Sequence, residues 1–156
     1  MPPKYDADFI WRTLKDNRYC ILSNNTKDGT INMRVMAFAC SQDLHKFYLL
    51  TLKTSAKLTD FLKKPDVSLL VFSTAKEVGD YSQIAVKGKI SIHREIDSEL
   101  VKAGLHRFAE KTGMIGALLN SGNLGDYVFL ILEPKEITLS VYIDILHNLP
   151  GTTIKF

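Results

Sequence analysis

Residues 30–40 alternate between apolar and polar positions. Ile31, Met33, Val35 and Ala37 fall on one face and Asn32, Arg34 and Met36 on the other, the period of a long, half-buried strand. Residues 82–93 repeat the pattern, with Ile84, Val86, Gly88, Ile90 and Ile92 set against Gln83, Ala85, Lys87, Lys89 and Ser91. Gly88 in mid-strand predicts a bulge or a close backbone approach. Residues 19–23, 46–52, 67–73, 127–132 and 136–142 read as further strands, the last two separated by Pro134. The 67–73 run is nearly all apolar, as a strand buried on both faces would be. Three stretches change to the helical period. Residues 6–18 carry Phe9, Ile10 and Leu14 as a stripe, and residues 56–62 carry Leu58, Phe61 and Leu62 until Pro65 stops them. Asp97 is placed to cap a helix reaching about Lys111, with Leu100, Val101, Leu105 and Phe108 inward. Residues 24–29 are dense in turn formers, and Asp28-Gly29 between two strand runs signals a hairpin. Residues 114–125 fit either a helix or a buried loop, and residues 144–156 fit no element.

Six or seven strands joined mostly by short turns pair antiparallel. Closing such a sheet removes its exposed edges. The expectation is a mainly β (α+β) fold, an antiparallel barrel of six to seven strands with a few peripheral helices, occupying residues 1–156 as one domain. Composition agrees: 46% hydrophobic and 24% charged residues over 156 positions is ordinary globular usage. No apolar run approaches the roughly 20 residues that span a bilayer. The first residues show no apolar core of a secretory leader. The expected location is therefore the cytoplasm, with no membrane partner. A net charge of +3 suits a small anion better than nucleic acid. Cys20 and Cys40 lie inside apolar runs and read as buried free thiols. His45, His93, His106 and His147 lack metal-ligand spacing, so no metal is expected.

The chemistry concentrates in residues 47–72. An apolar strand run ends in Thr51, Lys53, Thr54, Ser55 and Lys57; a short helical stretch follows, and a second strand run begins at Val67. A phosphate monoester needs several donors at short range and some positive charge, which Arg supplies as a fork and Lys as a point charge. Arg34, on the polar side of the preceding strand and read as a hairpin neighbour of 47–51, can join Thr51, Ser55 and Lys57 around one such group. Backbone N–H groups at the start of the short helix would complete the cage.

In order along the chain, Arg34-Val35-Met36, Phe47-Tyr48-Leu49-Leu50-Thr51, Ser55-Ala56-Lys57, Lys64 to Leu70 and Gln83 to Gly88 resemble the pyridoxamine 5′-phosphate oxidase-like FMN-binding split barrels. The resemblance covers about residues 9–95 and continues through the 127–142 strands. It implies a split barrel and a homodimer that binds FMN where the subunits meet. It further implies that Arg34 and Lys57 bind the FMN phosphate with help from Ser55. Val35 and Met36 offer backbone groups to the flavin ring, Leu50 and Thr51 line the ribityl–phosphate path, and Gln83 hydrogen-bonds the cofactor from the other subunit. The activity implied is oxidoreduction of a small molecule or a reduced nicotinamide. No catalytic residue is assigned. Two departures stand out: Ala56 occupies a position where the family often has a second basic residue, and the tail HNLPGTTIKF lacks the Arg-x-His substrate motif of the oxidase proper. The chain thus resembles a divergent member. The alternatives are a flavin-binding or sensing protein without turnover, or a related barrel holding deazaflavin or haem.

Overall fold

The computed structural model describes residues 5–73, 81–95, 97–111, 113 and 123–156. Its elements in chain order are α1 (Ala7–Lys15), β1 (Tyr19–Asn25), β2 (Ile31–Cys40), β3 (Phe47–Leu52), α2 (Lys57–Lys63), β4 (Asp66–Ser73), β5 (Ser82–His93), α3 (Glu99–Lys111), a 3-10 turn (Asn123–Asp126), β6 (Tyr127–Val141), α4 (Tyr142–Leu146) and β7 (Thr152–Lys155). The strands run in the order β3-β2-β1-β4-β5-β6-β7, every pairing is antiparallel, and β3 also pairs β6. Six strands therefore close into a barrel and β7 lies outside it on β6.

Local chemistry explains the boundaries. The Asp6 carboxylate accepts the Phe9 N–H at 2.8 Å and starts α1, which turns Ile10 and Leu14 into the barrel. The β1–β2 hairpin closes where Gly29 adopts φ +81°, a conformation open to glycine at no steric cost. Gly88 faces β6 so closely that a Cβ would collide with the Glu133 carbonyl and stand 2.9 Å from Pro134 Cα. The register shifts there, between Lys87 and Gly88. That bulge also corrects the expected break at Pro134: β6 is one strand of 15 residues that carries its proline through the irregularity.

Other expectations are corrected too. β2 meets β3 only from Phe38 to Cys40, and Arg34 lies opposite Leu22 of β1 instead. Arg34 shares its face with the buried Met36 and Phe38, while Ile31, Met33 and Val35 point outward. Ser98, not Asp97, caps α3 by accepting the Val101 N–H at 3.3 Å. Leu62 and Leu100, expected inward, are 71% and 37% exposed. The unassigned tail forms α4 and β7. Of the ambiguous 114–125 stretch, residues 114–122 lie outside the described residues, and the rest enters the 3-10 turn.

The main core fills the barrel from β1 to β6, with α1 entering through Ile10 and Leu14 and α2 through Leu58 and Phe61. A second cluster lies outside the wall, where Val101, Leu105 and Phe108 of α3 pack on Tyr48, Phe129 and Ile131. Lys111 fastens the end of α3. Its amine donates to the Leu14 carbonyl at 2.9 Å and sits 3.6 Å from the centre of the Phe38 ring. Burial pulls the Lys111 pKa down to about 8, against the opposing pull of Cys40, Cys20 and Asp16. Both cysteines are free and buried. Burial pushes Cys20 up to about 12 and Cys40 up to about 11, with Lys111 opposing in each case.

Candidate anion site at the barrel mouth

The inward positions of β1 read Cys20, Leu22, Asn24, and those of β2 read Asn32, Arg34, Met36, Phe38. At the end where these strands become polar, the Arg34 guanidinium donates through one terminal nitrogen to Asn24 Oδ1 at 3.2 Å. Asn24 is 2% exposed, and its own amide donates to the Asn25 carbonyl at 3.2 Å. The Arg34 Nε–H is buried and has no hydrogen-bond partner. A buried donor left unmade costs about 1–3 kcal/mol, so an acceptor from outside the chain fits this position.

The second cation comes from α2. Lys57 is its first residue and is half-buried. Burial, and then the charge of Arg34, hold the Lys57 amine below its ordinary value of 10.5. Two like charges thus stand within electrostatic range, and among the described residues neither forms an ion pair. The acid in the first turn of α2, Asp60, uses its carboxylate to accept the Lys27 N–H at 3.0 Å. An anion supplied from outside is the group that would relieve the repulsion.

The neighbouring groups follow from the register. Thr51 is buried, on the inward side of the last β3 residues. Past the Phe38–Leu49 pair the β2–β3 ladder opens, with Met36 and Arg34 on one side and Thr51 on the other. Ser55 is half-buried in the link to α2. The residue capping α2 is Ala56, with no side-chain cap, so the Ser55 hydroxyl is not committed to that helix.

Arg34, Met36, Thr51, Ser55 and Lys57 thus belong to the barrel mouth. The remaining candidates lie elsewhere within one chain. Leu50 points outward from β3, half-buried beside the α3 cluster. Val35 is 69% exposed on the outer wall. Gln83 is exposed opposite Phe72 and Ser140, three strands from β2, or about 14 Å at the usual strand spacing. Sequence reasoning missed Asn24. Its signal was present: a polar residue continuing the inward positions Cys20 and Leu22.

The outer wall around Val35 is apolar. Tyr19, Ile31, Met33, Val35 and Phe72 are 55–69% exposed. The half-buried Ile21 lies opposite both Val35 and Leu70. Among the described residues no helix is long and apolar enough to cross a membrane, and no group of three or more His, Cys, Asp or Glu is placed to hold a metal ion.

The model of the pyridoxamine 5′-phosphate oxidase family matches residues 8–140. The chain belongs to this family, as a divergent member with a split-barrel fold. Solved structures of similar fold include a haem-binding protein from Mycobacterium smegmatis, with a TM-score of 0.74 and 11% identity over 98% of this chain. The chain spans 59% of that protein's length. HutZ, the haem storage protein of Vibrio cholerae, has a TM-score of 0.67 and 20% identity over 85% of this chain and 91% of its own. A Clostridium acetobutylicum protein related to general stress protein 26 of B. subtilis, of the pyridoxinephosphate oxidase family, has a TM-score of 0.66 and 15% identity, with 97% of each chain covered. No curated protein matches the sequence.

Proposed function

We propose that the chain is a cytoplasmic, homodimeric FMN-binding flavoprotein that acts as an oxidoreductase on a small molecule or a reduced nicotinamide. The observation that carries this reading is the pair Arg34 and Lys57: two half-buried cations in electrostatic range, neither in an ion pair among the described residues, with a buried guanidinium N–H unmet. A phosphate monoester supplies both the charge and the acceptor oxygens. Arg34, Lys57 and the uncommitted Ser55 hydroxyl hold it. Thr51 and Leu50 border the ribityl path, and the backbone of Val35 and Met36 meets the ring. Gln83 of the partner subunit completes the site across the apolar outer wall. FMN, when bound, supplies the hydride and electron chemistry, and the protein places it. The test is the visible spectrum of freshly purified protein, with mass analysis of whatever denaturation releases. Flavin bands and released FMN support the reading; a colourless protein that does not take up added FMN contradicts it. Oxidation of a reduced nicotinamide separates an enzyme from a flavin-binding protein without turnover.

The haem-binding and haem-storage proteins among the similar folds favour a second reading, in which haem takes the place of FMN. It predicts a Soret band in the same spectrum.

A further inference from the structure

We propose that the cleft where α2, β5 and α3 meet binds a small organic acid that carries an apolar body and a hydroxyl group. The cleft encloses about 530 Å³, within the range of small-molecule sites. Two independent departures from helical patterning meet there. Leu62 ends the apolar stripe of α2 and Leu100 opens that of α3, yet both are turned out of the core, and both line this cleft with Ile92. An apolar ligand would cover them.

The polar groups come from the end of β5 and the link that follows. Arg94 lines the cleft and forms no ion pair among the described residues, so its guanidinium is available to a carboxylate. Glu95 on the same wall offsets one positive charge, which suits a monoacid better than a phosphate or a diacid. His93 adds direction. The Ser91 hydroxyl donates to the Ile131 carbonyl at 3.3 Å and lies 2.8 Å from His93 Nε2. With its proton given to Ile131, Ser91 accepts from Nε2–H. That tautomer leaves an Nδ1 lone pair, which has no partner among the described residues. A ligand hydroxyl meets that lone pair. The site involves none of the anion-site residues and does not rest on the flavin reading.

The probes are mandelate, phenylacetate and benzyl alcohol, titrated into the isotope-labelled full-length protein and followed by NMR. Mandelate is expected to shift the signals of Ile92, His93, Arg94 and Leu100 saturably, and to bind more tightly than either analogue. Arg94→Gln should weaken mandelate binding by about tenfold or more. His93→Phe should remove the preference for mandelate over phenylacetate, and Leu62→Ser should weaken both acids. Arg94 and Leu62 are exposed, so these variants retain the fold. Absence of shifts in this region, or unchanged binding in Arg94→Gln, overturns the assignment. So does a Soret shift with ferric haem that His93→Phe abolishes, since iron would then occupy the cleft.

Discussion

Lys57 and Arg34 share an electrostatic neighbourhood: the guanidinium charge adds to burial in holding the lysine amine below its ordinary 10.5. One residue opens a seven-residue helix and the other points inward from β2. The fold brings them together at the mouth of the barrel, and among the described residues no carboxylate forms an ion pair with either.

The first prediction concerns the pH dependence of cofactor binding. A bound phosphate favours the charged amine, so FMN affinity should fall as pH rises through the lowered Lys57 pKa, before ordinary lysines titrate. Lys57→Arg keeps its charge throughout and should flatten that fall. Fluorescence titrations of FMN at several pH values check this. An identical pH profile in Lys57→Arg would remove Lys57 from the phosphate contact.

A second pH dependence lies on the far side of the core, in folding stability. The Lys111 pKa is about 8 folded against 10.5 unfolded, so the unfolded chain binds more protons between those values. Stability therefore rises with pH above about 8, as the buried ammonium discharges. Cys20 and Cys40 act with the opposite sign. Their folded values of about 12 and about 11 exceed the usual 9.0, so stability falls as pH climbs above 9. Urea unfolding across pH 7 to 11 should show a rise and then a decline. Lys111→Met should erase the rise, and alanine at both cysteines should soften the decline.

Gly88 should tolerate no side chain. The Cβ of Gly88→Ala would strike the Glu133 carbonyl and crowd Pro134 Cα at 2.9 Å, both of them backbone. The expected loss is roughly 1–3 kcal/mol, read as a fall of several degrees in the melting temperature. An unchanged melting curve would show that the bulge relaxes without cost.

The outer wall offers a test of assembly. Ile31 and Met33 are 66% and 67% exposed in one chain, and the proposed homodimer covers them. Sedimentation equilibrium should give the wild type twice the chain mass of 17.6 kDa. Ile31→Glu with Met33→Glu should give 17.6 kDa with its fold intact. A monomeric wild type contradicts the shared site and the role given to Gln83.

Strand alternation made most of the barrel legible, because one face of each strand meets a dry core. Pro134 misled, since a proline without an N–H reads as a break unless a bulge absorbs it; here β6 itself carries the extra residue, Lys135, opposite the Lys87–Gly88 step, and Gly88 was the signal. The tail elements are four and five residues long, too short to show a period. In β2 the alternation was plain but the inward face was not. Ile31, Met33 and Val35 are the more apolar set, yet the inward set runs Asn32, Arg34, Met36, Phe38, Cys40 and becomes apolar only where the barrel closes. An exposed apolar wall looks like a core face to any periodicity argument. Arg34, Thr51, Ser55 and Lys57, which the fold brings to the barrel mouth, were legible as a cationic and hydroxyl-rich set. Asn24, which holds Arg34 in place, was hidden within a turn-forming stretch.

The most direct measurement is the FMN affinity of Arg34→Ala combined with Lys57→Ala, by equilibrium titration against cofactor-free wild type. Each charge-assisted phosphate contact should contribute about 1.5–3 kcal/mol. The pair should therefore lower affinity by about two to four orders of magnitude, with an unchanged circular dichroism spectrum. Equal affinity in the double variant and the wild type would contradict the account.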